Sequence, residues 1–232
     1  MAYTNLMLVA FCKKVQKLPT KYMWGTYGNK ITDSLISAKK KQYPTKYSAS
    51  RVNLLKSKIG STFGCDCSGL IKWFLMTNGG KSLTPKYRGE YDLGTNGLYN
   101  AAPQKGKINT LPEIPGLAVY KKGHVGIYIG NGKVIECTLS KRGDGVVYSD
   151  LKDYDWTHWL KIPNIKYVET EKKTIKVGDR VKIKGVKYAT GEVIPPWVKK
   201  KTHLVSRING NRVLLGNPVG INSWVYLTDI TL

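Results

Sequence analysis

Asp66-Cys67-Ser68-Gly69-Leu70-Ile71-Lys72-Trp73, set beside Gly123-His124-Val125-Gly126-Ile127-Tyr128-Ile129-Gly130, decides how this chain is read. In the first segment a cysteine follows a turn at Gly64 and opens an apolar-periodic run, the pattern of a thiol at a helix N-terminus. In the second a histidine opens an alternating apolar run, which predicts a strand that begins on the histidine. Thiol and imidazole are a nucleophile and a base, so the reading turns on whether the two side chains meet in space.

Working outward, the periodicity around the cysteine is helical. Residues 3–18 fit an amphipathic helix ending before Leu18-Pro19, and Thr32–Lys40 and Ser48–Lys58 are short helices split by Tyr43-Pro44. Tyr22-Met23-Trp24-Gly25-Thr26-Tyr27-Gly28 reads as an aromatic loop, and the Cys67 helix closes at Asn78-Gly79-Gly80. After a loop-rich stretch, 79–115, the period changes to two. Strands are expected over Leu117–Lys121, His124–Ile129, Lys133–Leu139, Gly145–Leu151 and Trp156–Ile162, with a hairpin signal at Asn131-Gly132. Helices first and an antiparallel sheet after make an α+β pattern.

The charged stretch Asn164–Thr174 marks a boundary, giving domains 1–166 and 167–232. Beyond it Val177–Val186, His203–Ile208, Arg212–Leu215 and Ser223–Leu227 are short strands between turns, as in a small all-β barrel of SH3 type.

The 232 residues carry 38 Lys+Arg against 15 Asp+Glu, a net charge of +23 divided as +16 over 1–166 and +7 over 167–232. Both parts are basic, so the chain expects a polyanionic partner. Scattered lysines without an arginine-rich groove argue against nucleic acid. No apolar run reaches the ~18 residues of a spanning helix, so no membrane insertion is expected. The apolar N-terminus lacks a basic n-region and reads as a helix rather than an export signal, which implies synthesis in the cytoplasm. In that setting the four cysteines make a disulfide framework unexpected, and Cys65-Asp66-Cys67 lacks zinc-finger spacing, so neither metal nor cofactor is called for.

Cys67 is either an inert core thiol or a reactive one, and its small neighbours Ser68 and Gly69 favour the second. A helix N-terminus and a neighbouring imidazolium are expected to lower its pKa into the range ~3.5–7.5, and its own amide points into an oxyanion site. Only three histidines exist, and His158 lies near two tryptophans while His203 lies in the second domain, which leaves His124 as the candidate base. Glu136, twelve residues on in an otherwise apolar strand, needs a partner, and pairing across the hairpin offers it His124.

These residues also carry a resemblance. Asp66-Cys67-Ser68-Gly69-Leu70 and Gly123–Gly132 resemble the two signature blocks of NlpC/P60 peptidoglycan hydrolases, and Tyr22-Met23-Trp24-Gly25 is similar to that family's first block; the likeness spans roughly residues 3–162. It implies a papain-like core and cleavage of stem-peptide bonds in bacterial peptidoglycan, commonly between D-glutamate and the diamino acid. Cys67 would be the nucleophile, His124 the base, Glu136 the third member and Tyr22 a hydroxyl near thiol and oxyanion. Asp66, Ser68 and Trp24 would line the substrate cleft. Glu136 departs from the His, Asn or Gln usual at the third position, and the lysine-rich segment 29–64 adds a wall or cover. The C-terminal part resembles bacterial SH3-type wall-binding domains, with Trp197, Trp224 and Tyr226 as its candidate groove.

The expected function is therefore a cysteine endopeptidase acting as a phage or prophage endolysin or an autolysin, released from the cytoplasm to the wall. Its expected partners are peptidoglycan and anionic wall polymers. Two other readings stay open: an N-acetylmuramoyl-L-alanine amidase using the same Cys-His site, and a non-catalytic basic wall-binding protein.

Overall fold

The computed structural model describes residues 2–168, 175–216 and 220–232, and the chain divides into two compact units, Met1–Glu169 and Thr170–Leu232. The stretch 164–174 expected to hold the boundary lies partly outside the described residues.

Unit one runs β1 (Tyr3–Thr4), α1 (Asn5–Val15), β2 (Thr20–Tyr22), β3 (Tyr27–Lys30), α2 (Asp33–Gln42), α3 (Ala49–Lys56), β4 (Phe63–Cys65), α4 (Cys67–Met76) and α5 (Thr95–Ala101). It continues through β5 (Lys105–Lys107), β6 (Ala118–Lys121), β7 (His124–Gly130), β8 (Lys133–Ser140), β9 (Gly143–Asp150), β10 (His158–Leu160) and β11 (Ile165–Lys166). Six strands form an antiparallel sheet ordered β5-β10-β6-β7-β8-β9. A smaller sheet, β2-β4-β3, carries the segment that leads into α4.

All ten residues of α4 are buried, as suits a helix enclosed between its neighbours rather than lying on a surface. Leu70, Ile71, Trp73 and Phe74 pack with Leu8 and Phe11 of α1 and with Val125, Ile127 and Ile135 of the sheet. Lys72 is tolerated inside because its ammonium reaches Asp92 at 2.9 Å. The helix stops where Asn78, Gly79 and Gly80 all take positive φ and the Gly79 N–H donates to the Phe74 carbonyl at 3.0 Å. The β7–β8 hairpin turns on Asn131 and Gly132, both at positive φ, as the Asn-Gly signal requires.

The structure departs from the sequence expectation where strands are too short for a period to show. Tyr27–Lys30 and Phe63–Cys65 are strands, and α5 and β5 lie in the stretch read as loop; each owes its conformation to a partner strand or to packing. The strand expected over Trp156–Ile162 shortens to His158–Leu160, which leaves Trp156 in the preceding turn.

Unit two comprises β12 (Arg180–Ile183), α6 (Pro196–Lys199), β13 (Thr202–Asn209), β14 (Arg212–Leu215), β15 (Ser223–Tyr226) and β16 (Ile230–Thr231). Its antiparallel sheet is ordered β15-β14-β13-β12-β16 around a core that includes Val181, Ile194, Val205, Val213 and Val225.

Candidate active site

The thiol is set by a helix cap. Asp66 Oδ1 accepts the Gly69 N–H at 2.6 Å and the Ser68 hydroxyl at 3.1 Å, while Oδ2 accepts the Gly25 N–H at 2.8 Å. One carboxylate thus starts α4 and ties it to the aromatic loop. Gly69 is required there, because a Cβ would lie 2.0 Å from the Thr26 carbonyl oxygen, which already accepts the Asp66 N–H at 3.0 Å.

Cys67 is 5% exposed, with Sγ 3.9 Å from the carbonyl of Gly123, the residue before His124. Burial, and then the adjacent Asp66 carboxylate, push its thiol up to about 12, against the pull of the Ser68 and Val125 N–H groups. The expected lowering by the helix N-terminus is therefore outweighed by desolvation, and the resting group is a thiol. Cys12, Cys65 and Cys137 are also free and buried.

The imidazole is set by charge. His124 Nε2 lies 2.5 Å from Glu136 Oε2. Gly126, not His124, stands opposite Glu136 in the ladder, so the carboxylate reaches His124 diagonally along the same face. Gly126 keeps that face open: a Cβ there would come within 3.3 Å of both Glu136 Cβ and the Trp156 ring. His124 stacks on Trp156, centroids 5.4 Å apart, and meets Tyr154 edge-on at 5.2 Å.

Glu136 is fully buried and has a second partner, a guanidinium. Arg142, in the turn between β8 and β9, donates from Nε to Oε1 at 2.9 Å and from Nη2 to Oε2 at 3.4 Å. Burial alone would raise this carboxyl, but the hydrogen bonds from His124 and Arg142 prevail and hold it below the usual glutamate range. Sequence reasoning missed Arg142. The available signal was Glu136 itself, an acid in an apolar strand whose neutralisation one imidazole does not complete.

Tyr22 ends β2, in register with Cys65. Burial first, then Cys67 and Asp66, hold its phenol well above its ordinary pKa, so it stays a donor. Its backbone is clamped by Asp144 at the same β8–β9 turn, whose Oδ1 accepts the Tyr22 N–H at 2.9 Å. Arg51 of α3 binds both Asp144 oxygens at 2.8 Å and also the Tyr22 carbonyl. These partners, from segments 93 and 122 residues apart from Asp144, leave no local mark in the sequence.

Two cavities flank the thiol and imidazole. One, about 390 Å³, is lined by Tyr22, Lys46, Tyr47, Arg51, His124 and Arg142; the other, about 300 Å³, by Tyr43, Asp66, Cys67, Ser68, Lys72 and Asp92. Trp24 and Gly123 line both. Lys46 lies over the Trp24 ring at 4.5 Å, so the segment 29–64 supplies a wall of the cleft. Asp66, Ser68 and Trp24 do line it, though Asp66 spends its oxygens on the helix cap.

In unit two, Trp224 and Tyr226 share one face of β15. Trp197 sits on α6, 57% exposed, and no ring contact joins it to that pair among the described residues.

A family model, that of the NlpC/P60 family, matches residues 20–164. No curated protein matches the chain. Among solved structures, the peptidoglycan hydrolase RipB of Mycobacterium tuberculosis is 21% identical, with 70% of this chain and 67% of that one covered and a TM-score of 0.40. The P60 domain of an antigen of M. avium subspecies paratuberculosis is 20% identical, with 70% and 98% covered and a TM-score of 0.41. NlpC1 of Trichomonas vaginalis is 20% identical, with 66% and 44% covered and a TM-score of 0.35.

Proposed function

The chain belongs to the NlpC/P60 family, and on that premise we propose that it is a cysteine endopeptidase that hydrolyses stem-peptide bonds of bacterial peptidoglycan. The bond proposed is the one between D-γ-glutamate and the diamino acid. The observation that carries this reading is the posture of His124. Its Nε2 is engaged by a buried carboxylate, which makes Nε2 the protonated nitrogen of the neutral ring and leaves Nδ1 as a base, beside backbone that touches Cys67 Sγ.

The residues then divide the work. His124 Nδ1 takes the thiol proton as Cys67 Sγ attacks the peptide carbonyl carbon. The oxyanion is received by the Cys67 N–H, which as the first of α4 has no acceptor within its helix, and by the Tyr22 hydroxyl. His124 returns the proton to the departing amine, and water then releases the acyl group from sulfur. Because burial raises the thiol, His124 accepts the proton during attack rather than storing a thiolate at rest.

Unit two is proposed to be an SH3-like module that holds the wall through Trp197, Trp224 and Tyr226, aided by the chain's +23 charge on anionic wall polymers. An endolysin or autolysin role follows from that pairing of hydrolase and wall binder. Mass spectrometry of peptidoglycan digests tests the reading. Wild-type protein should release fragments with new amino termini inside the stem, and Cys67→Ala should release none while still binding walls. Intact stems freed from glycan would support the amidase, and equal binding with no cleavage by either protein would leave a binder.

A further inference from the structure

The proposed triad accounts for His124 and Glu136 but not for the guanidinium beyond them. Arg142 is largely buried, its side chain 12% exposed, at the tip of a hairpin where an arginine would ordinarily extend into water. It is fixed on three sides. It forks onto both oxygens of Glu136, lies 4.4 Å over the Tyr154 ring, and donates from Nη1 to the Asp153 carbonyl at 3.4 Å. Tyr154 in turn meets the His124 ring edge-on and packs on Trp156 at 4.7 Å. Arg142 and His124 thus hold one carboxylate, meeting at Oε2 while Arg142 alone takes Oε1, and share one aromatic support.

We infer that Arg142 is a positioning residue of the active site, fixing the rotamer of Glu136 and holding it ionised so that Glu136 orients His124 toward Cys67. This rests on the proposed cysteine-hydrolase reading. Among the described residues, the titratable and charged groups that face Glu136 are His124 from β7 and Arg142 from the turn, and β9 brings the neutral Ser149 hydroxyl. A buried carboxylate with one imidazole for company has two poor options: to take up a proton, or to favour the protonated imidazole that cannot act as a base. Arg142 removes both. It supplies a permanent countercharge, and its fork leaves Oε2 directed at Nε2.

The test uses the full chain and a soluble stem peptide that the wild type cleaves, with kcat and KM measured across pH for wild type, Arg142→Met and Arg142→Lys. In Arg142→Met, kcat should fall about 10–100-fold with KM within about twofold. The acid limb of kcat should move up by about one pH unit, because Glu136 then faces the imidazole uncompensated. Arg142→Lys keeps the charge without the fork and should restore the limb but only part of kcat. A folded Arg142→Met with wild-type kcat, or with lower kcat and an unmoved acid limb, overturns the assignment. If Arg142→Met does not fold, wild-type kcat in Arg142→Lys overturns it instead. A wild type that cleaves no stem peptide defeats the proposed function itself, whereas cleavage with unaltered Arg142 variants defeats only this inference.

Discussion

The two halves of the cleft are built on different physics. The thiol half, around Asp66–Gly69, is held by backbone: a capped helix start, a carbonyl packed against a glycine, and a sulfur buried but for the cavity it lines. The imidazole half, around β7–β9, is held by charge: Glu136 between His124 and Arg142, and Asp144 between Arg51 and Lys21 at 3.3 Å. The division follows from what each group must do. A thiol that waits in its protonated form is served by burial, whereas an imidazole that gains and loses a proton needs a fixed countercharge. The halves should therefore fail in different ways.

The largest effects come from removing the reacting groups. Cys67→Ser and His124→Ala should each lower hydrolysis by roughly 10³-fold or more with the fold intact, as circular dichroism and turnover will show. Glu136→Gln should cost less, about 10–100-fold, since it removes an orienter and leaves the base. An active His124→Ala would break the comparison at its root, because the imidazole half would then have no chemical role.

Next comes a steric probe of the thiol half. Gly69→Ala must displace either the Thr26 carbonyl or the helix start, and overpacking of this kind costs about 1–3 kcal/mol. The loss, read as a lower denaturant midpoint, should be insensitive to salt. Asp144→Asn is its electrostatic counterpart. It weakens the Arg51 and Lys21 contacts and loosens Tyr22, at a cost of about 1–2 kcal/mol that salt should partly mask. If both variants respond alike to salt, the distinction between the halves does not hold.

The same division explains what the sequence made legible. The Cys67 helix and its Asn78-Gly79-Gly80 stop, the His124 strand and the Asn131-Gly132 turn follow from local signals, because caps, periods and positive-φ turns act over a few residues. Glu136 was found because an acid in an apolar strand calls for a partner. Arg51 and Asp144 were not, since their pairing joins segments 93 residues apart. Arg142, though only six residues from Glu136, was not because no local period shows a hairpin-tip side chain folding back onto the strand. The burial that raises the Cys67 thiol is hidden from the sequence for the same reason. Its helix position is written locally, but the depth of its burial belongs to the whole core.

The smallest predicted effect, and the one that isolates charge from packing, is acid stability. Glu136 is held below its ordinary pKa in the folded chain. By linkage, the stability it contributes is fully present above the unfolded value of about 4.3 and is lost as pH falls through the lower folded value. Glu136→Gln cannot gain that proton, so its thermal midpoint should start below that of the wild type at pH 7 and fall less steeply below about pH 4.3. Gly69→Ala leaves the titrating groups in place and should keep the wild-type slope. Parallel slopes for wild type and Glu136→Gln would mean that the carboxylate is not held by charge, and the contrast between the two halves would reduce to one of packing.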